Sequence, residues 1–366
     1  MDGTTLGLRI AEARKARDLT QEHLATSVGI DRSALGLIEK GKRKVSALEL
    51  VDLAAALDTP LAWFVREPVA AVISRRSEAG PSHEVTARLD QALELFAGDV
   101  AELLADGVVE ALVDRPTWPM PRSEDDAEVL AGKARDYLSL GSEPVLDLAG
   151  VAERFGLFSC ALAFGDRGAD GALVEVADGA AVAIIDGDAR PGRRRMSLAH
   201  ELGHWLFGDA YDSNTTADAE ALITAFAAHF LAPRAGVAQL WRNYPSDTLR
   251  DKAIRVADAY RMSWSAVLTH LRNLGLITEE QWRVENQHKP VTGEFTQLQL
   301  QLQLRIAEQE LRAPSVSPKL AAALIDAYVD LRISAERTVE LLRGQLDAGE
   351  LPQPRAETAA DYARMG

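Results

Sequence analysis

His200-Glu201-Leu202-Gly203-His204 constrains this chain more than any other stretch, because its chemistry needs a helix. On a helix, residues four apart lie one above the other, so His200 and His204 can offer imidazole nitrogens to one cation. Glu201 sits a step round the helix, placed to take a proton from a metal-bound water. Three protein ligands, one open coordination position and a carboxylate base make up a hydrolytic zinc site. The flanks agree with a helix. Leu198, Leu202, Trp205 and Leu206 give it an apolar stripe, Pro191-Gly192 or Ser197 can start it, and Gly208-Asp209 can end it.

Two histidines leave a third ligand to find. Residues 218–233 predict the next helix, stopped by Pro233. Glu220 is the preferred ligand. Phe226 and Ala227 then face the motif helix, and Thr224, four residues on, is expected to hold the Glu220 carboxylate. His229 is the obvious rival. It lies nine residues after Glu220, about half a turn away at roughly 100° per residue, so the two do not face one ion. Asp218 and Asp212 are weaker alternatives, more ordinary as capping or loop charges.

A chain of 366 residues suggests two or three domains, and 47% hydrophobic content is ample for globular folding. No apolar run is long enough to cross a bilayer, and the N-terminus lacks a basic flank followed by an apolar stretch, so a cytoplasmic location is expected. The lone cysteine, Cys160, excludes an internal disulfide and is expected as a small buried residue on a strand. A net charge of −15 argues against nucleic-acid binding by the whole surface. The charge is uneven, however. Residues 1–66 carry ten basic against nine acidic groups, with a local basic cluster at Lys40, Lys42, Arg43 and Lys44.

That end predicts a five-helix domain. Thr20 caps a second helix with His23 at its third position, Gly29-Ile30 makes the turn, and Asp31 caps a third helix that Gly41 closes. Two helices joined by so short a turn form a helix-turn-helix unit. Leu19-Thr-Gln-Glu-His-Leu-Ala25, Val28-Gly-Ile30 and Leu37-Ile-Glu-Lys-Gly41 resemble the Cro/C1-type repressor family in order and spacing over about sixty residues. The resemblance implies binding to an operator in double-stranded DNA. Gln21 would grip phosphate, and Arg32 and Ser33 would reach base edges, Arg32 as a two-pronged donor to guanine. Lys40, Lys42 and Arg43 would hold the backbone. Glu39 is expected to be a structural partner inside the domain, and Gly36 leaves the reading surface with fewer direct base contacts.

Residues 67–125 predict a linker and connecting helices, with a long helix over 83–112 broken near Gly98 or Gly107. Helices follow over 126–140 and 145–155, then three short strands over 157–164, 172–176 and 180–185. Helix, small sheet, then a helix bearing the two histidines is a zincin-like layout, in which a sheet edge receives an extended peptide. Arg195-Met-Ser-Leu-Ala-His-Glu-Leu-Gly-His204, the segment from Glu220 to Pro233, and the segment from Met262 to Ile277 resemble the ImmA/IrrE family of metallopeptidase domains over residues from about 126 to 283, which implies a domain over 126–288. The resemblance implies zinc at His200, His204 and Glu220, Glu201 as base, and a protein substrate or partner, often a repressor. Gly208 stands where many members have a histidine, and Thr224 where asparagine is common. Tyr211 and Tyr260 are the candidates for stabilising an oxyanion.

Residues 289–366 predict a helical extension suited to dimerisation, with a packed cap on the preceding domain as the plainer alternative. Leu298 to Leu304 alternates like a strand but is rich in helix formers, and helix is expected; residues 318–346 predict a second helix. The fold expected is mainly α, of α+β class. The function expected is that of a homodimeric, stress-responsive transcription regulator carrying a zinc metalloendopeptidase domain. Two other classes fit the same residues: a ligand-sensing factor that cuts nothing, and an antitoxin or phage-immunity protein whose peptidase-like domain only binds.

Overall fold

In the computed structural model, which describes residues 2–66, 74–76, 83–165, 171–208, 216–300 and 308–355, five helices open the chain: α1 (Gly3–Ala16), α2 (Gln21–Ser27), α3 (Arg32–Glu39), α4 (Ala47–Ala56) and α5 (Leu61–Val65). Their caps are local. Thr20 Oγ1 accepts from the His23 N–H at 3.1 Å, and Ser46 and Glu49 cap α4 reciprocally. Asp31 stands at the start of α3 but its side chain makes no capping bond. Gly29 and Gly41 take the left-handed backbone that the turns on either side of α3 require. Ile10, Leu24, Leu35, Leu53 and Phe64 form the buried centre of this head.

A short strand β1 (Ser74–Arg76) follows, then one long helix, α6 (His83–Ala105). Of the two expected break points, Gly98 or Gly107, the helix stops beside the second. Gly98 stays helical, with the Arg66 guanidinium where a side chain would point, and the helix ends before Gly107, whose φ is +63°. Leu89, Leu93, Phe96, Ala97 and Val100 make the buried stripe of α6.

The metal-motif region comprises α7 (Glu124–Tyr137), α8 (Leu148–Glu153), β2 (Leu157–Leu162), β3 (Gly171–Ala177), β4 (Ala180–Asp186), α9 (Pro191–Phe207) and α10 (Ala217–Leu231). Smaller helices α11 (Arg234–Asn243), α12 (Leu249–Tyr260), α13 (Trp264–Asn273), α14 (Glu279–Asn286) and α15 (Thr292–Gln297) complete its outer wall. The sheet is mixed, with β2 and β4 parallel and the other neighbours antiparallel. With a fifth strand, β5 (Ser315–Val316), its order is β1-β3-β4-β2-β5, so the three expected strands form the centre and two short ones extend the edges. One face packs Leu173, Ala183 and Ile185 against the α9 side. The other packs Cys160, Val174, Val182 and Ile184 against the α6 side. Cys160 is buried on β2, and burial pushes its thiol up to about 12.

In the C-terminal part the helix expected over 318–346 is broken in two. Strand β5 (Ser315–Val316) pairs with β2. Helix α16 (Pro318–Val329) stops short of 346, because Leu331 turns left-handed at φ +60° and Ser334 caps a new helix, α17 (Ala335–Leu341). Leu320, Leu324, Leu341 and Leu342 share the α6 core, so this extension caps the sheet it follows. Helix α15 ends at Gln297 and Gln299 is left-handed; the helix expected over 298–304 falls mostly on residues 301–307, which lie outside the described ones. Among the described residues no single helix is long and apolar enough to cross a membrane.

Head and body meet on α6. Glu94 accepts from the Arg9 guanidinium and, at 2.6 Å, from the Trp63 indole. Farther along, Asp99 accepts from Arg66 at 2.7 Å.

Candidate metal centre and nucleic-acid interface

Helix α9 begins with Pro191 at its first position, where a missing N–H costs nothing, and ends on left-handed Gly208. It is enclosed almost all round: Leu198, Leu202, Trp205 and Leu206 are fully buried, as are His200 and Glu201. The Trp205 indole donates to the Phe155 carbonyl at 2.7 Å, and Arg115 stacks 3.6 Å from the ring centroid. Gly203 sets the approach of α10. A Cβ there would come within 2.9 Å of Ile223 Cγ2 and 3.1 Å of Phe226 Cδ1. The glycine inside the motif therefore lets the next helix lie close enough for Glu220 to reach the histidines.

The three donors converge. His200 Nε2 is 3.0 Å from Glu220 Oε2 and 3.0 Å from His204 Nε2, and His204 Nε2 is 3.6 Å from Glu220 Oε1. Tetrahedral zinc at about 2.0–2.1 Å from each donor would space them roughly 3.3–3.4 Å apart. Two imidazoles aiming ring nitrogens at each other beside a carboxylate are a donor set that fits a divalent cation. Burial alone would raise the Glu220 carboxyl, but hydrogen bonds with His200 and His204 outweigh it and bring it down to about 2.

Thr224 does a different job from the one expected. Its hydroxyl donates to the Glu220 carbonyl at 2.9 Å, not to the carboxylate, and lies 3.3 Å from His200 Nδ1. With its one proton spent, the hydroxyl is placed to accept from an Nδ1–H, the tautomer in which Nε2 of His200 is free to ligate a cation. Sequence spacing gave the right face but not the atom.

Glu201, the expected base, lies where β3 begins: a Cβ on Gly171 would stand 3.0 Å from Glu201 Oε1. His229 is elsewhere. Its ring packs 4.8 Å from that of His270, with Nδ1 3.8 Å from Glu128 Oε2. Asp218 is exposed on the first turn of α10. Tyr260 is buried and donates to the Ser142 carbonyl at 3.3 Å, away from the trio. Tyr211 and Asp212 lie outside the described residues.

Two groups that spacing alone does not reveal hold α9 in place. Arg195 is fully buried and bonds the Glu310 carboxylate and the Val145 carbonyl, and Arg261 reaches the same carboxylate at 3.0 Å. Glu310 lies 115 residues from Arg195, so no local pattern signals it.

In the head, Arg32 and Ser33 stand exposed on the first turn of α3, and Lys40 and Lys42 are exposed just beyond its end. Arg43 is tied to Glu49 at 2.6 Å. Gln21 donates to Glu39 at 2.7 Å, and Glu39, buried, also accepts from Arg14 at 2.6 Å. Glu39 is thus the internal partner the sequence suggested, and it holds one N–H of Gln21 at the junction of α2 and α3.

Two family models match. One, described as helix-turn-helix, covers residues 10–64; the other, described as IrrE N-terminal-like domain of the M78 peptidase family, covers residues 152–272. Among curated proteins the chain is similar to a transcriptional regulator in the ATPase CF(0) region of Rhodospirillum rubrum, 36% identical over 59 residues, which are 16% of this chain and 55% of that protein. The chain thus spans about half the length of that relative. Among solved structures it is similar to the restriction-modification controller protein C.AhdI from Aeromonas hydrophila, with 43% identity, 16% of this chain and 88% of that chain covered, and a TM-score of 0.16.

Proposed function

Starting from a chain that carries a helix-turn-helix DNA-binding domain at residues 10–64 and an M78 peptidase-family domain at residues 152–272, we propose a DNA-binding transcription regulator whose second domain holds one zinc ion and hydrolyses a peptide bond in a partner protein, such as a repressor. One observation carries the reading: His200, His204 and Glu220 bring their donor atoms within 4.8 Å of one another, the two histidines buried and Glu220 half-buried, and Glu201, next to His200 in the chain, is fully buried as well. Bound there, zinc would acidify a water and polarise the scissile carbonyl. Glu201 would receive the water's proton and hand it to the departing amine. Thr224 keeps the His200 tautomer suited to its role.

Elemental analysis should find about one zinc per chain, lost in His204→Ala and kept in Glu201→Gln. Candidate partner proteins are then incubated with both. A cut made by the wild type and absent with Glu201→Gln supports the enzyme; no difference between them sinks it.

For the head, Arg32, Ser33, Lys40 and Lys42 offer exposed donors to an operator, with Gln21 and Arg43 as partly engaged members of the same surface. Arg32→Ala should weaken specific binding by roughly 1–3 kcal/mol. A two-fold operator calls for a homodimer. Leu320, Leu324, Leu341 and Leu342 of the C-terminal extension are buried in the core shared with α6, so we place self-association on the head. Leu48, Val51, Leu61 and Val65 are exposed on the touching helices α4 and α5, and Leu48→Glu should shift sedimentation toward monomer.

A further inference from the structure

The strand beside β3 comes from the segment joining the head to α6. β1 runs antiparallel to β3, with Ser74 opposite Leu173, Arg75 opposite Ala172 and Arg76 opposite Gly171, and it also approaches α9. Gly171 is the residue that rests against Glu201. One strand spacing, about 4.8 Å, therefore separates the backbone at Arg76 from the residue touching the expected base. Without β1, β3 would be an edge strand with a row of unpaired N–H and C=O groups, starting at the residue that rests against Glu201. Such an edge is where an extended peptide adds to a sheet.

We propose that the linker around residues 74–76 is the built-in peptide ligand of the metal domain, filling the edge that a partner's peptide would enter. The proposal rests on the peptide-hydrolase reading for the identity of that edge. The linker sequence suits the role: Val72 and Ile73 run into Ser74-Arg75-Arg76, with no proline between Pro68 and Pro81. Affinity in strand addition comes mostly from main-chain hydrogen bonds, so the class of ligand is an extended, proline-free segment rather than one fixed sequence. Held in cis, the linker acts at an effective concentration on the order of 1 mM. A free peptide must displace it before binding.

The probe is a fluorescein-labelled peptide of residues 69–80, titrated into zinc-loaded full-length Glu201→Gln chain, which cannot consume it. Arg75→Pro and Arg76→Pro are then added singly to that background. Ladder bonds alternate along an antiparallel pair, so one of the two prolines removes a donor to β3. That variant should bind the peptide at least ten-fold more tightly than its parent, and a peptide carrying both prolines should not bind it. Equal affinity for all three chains, or binding to none, overturns the proposal. Restoring Glu201 in the tighter-binding variant separates the two readings. Peptide bound but left intact sinks the hydrolase and spares the linker as ligand; peptide cut with no gain in affinity from proline sinks the linker alone.

Discussion

Asp99→Asn is expected to loosen three parts of the molecule at once. The carboxylate sits on α6, buried, and accepts from Arg66 at the end of the head at 2.7 Å, and from Arg337 at 2.8 Å and Arg343 at 2.5 Å in the C-terminal extension. Burial works against its charge, but Arg343, Arg66 and Arg337 outweigh burial and hold it below the usual carboxylate range. Removing one member of a buried ion pair costs about 3–5 kcal/mol when the survivor stays dry. Here the survivors are not fully dry. The side chains of Arg66, Arg337 and Arg343 keep 25%, 27% and 17% exposure, and Arg66 and Arg337 retain Glu102 at 3.3 and 3.2 Å. The cost is therefore placed lower, at about 2–3 kcal/mol. At roughly 2–4 °C per kcal/mol for domains of 150–250 residues, the midpoint should fall by about 5–10 °C. Thermal unfolding followed by circular dichroism measures it, with Glu102→Gln as the control. Glu102 is 56% exposed, so its loss should cost less than about 1 kcal/mol. A midpoint for Asp99→Asn no lower than that of Glu102→Gln would refute the idea that one buried carboxylate joins head, α6 and extension.

Three further outcomes follow from the same structure. His270 is buried with Nε2 2.7 Å from the Ala232 carbonyl; burial, then the neighbouring His229, takes its pKa down to about 4. Between about 6.5 and 4 the unfolded chain holds the extra proton, so stability falls as pH falls through that window, by about 3 kcal/mol in all; urea midpoints of His270→Gln should lack this part of the slope, and parallel curves for variant and parent would contradict it. Asp258 has the opposite sign. Burial raises it to about 6, so its folded form binds the extra proton from about pH 4 to 6 and stability falls as pH rises; allowing for solvent screening, Asp258→Asn should gain about 1–2 kcal/mol at pH 7.5 and little at pH 4, and a gain equal at both would be against it. Thr224→Val removes the acceptor of the His200 Nδ1–H, and should weaken zinc binding roughly 10–100-fold in a chelator competition; a change under about three-fold would leave Thr224 a helix-surface residue and no more.

What was legible in the sequence was local. A four-residue repeat of histidine placed two ring nitrogens on one face, and a half-turn argument separated Glu220 from His229, because both depend only on helix geometry. Caps and turn glycines placed α2 and α3 for the same reason. The elements that complete the sheet left no such mark. Ser74–Arg76 and Ser315–Val316 are three and two residues long, too short for an alternating pattern, and they become strands only because β3 and β2 offer open edges. Gly98 looked like a break because glycine lowers helix propensity, yet the stripe of α6 packed on the sheet outweighs that cost of about 1 kcal/mol. Charge pairing across the chain was the least visible of all. Glu310 neutralises Arg195 and Arg261, both nearly fully buried, and Glu153 caps the start of α16 by accepting from the Lys319 and Leu320 N–H groups at 2.8 Å. Arg195 stands on α9 five residues before His200. The carboxylate that lets it stay buried comes from beyond residue 300, so the metal helix owes its position to a segment that sequence alone marks as an appendage. The extension is therefore part of the fold that holds the site.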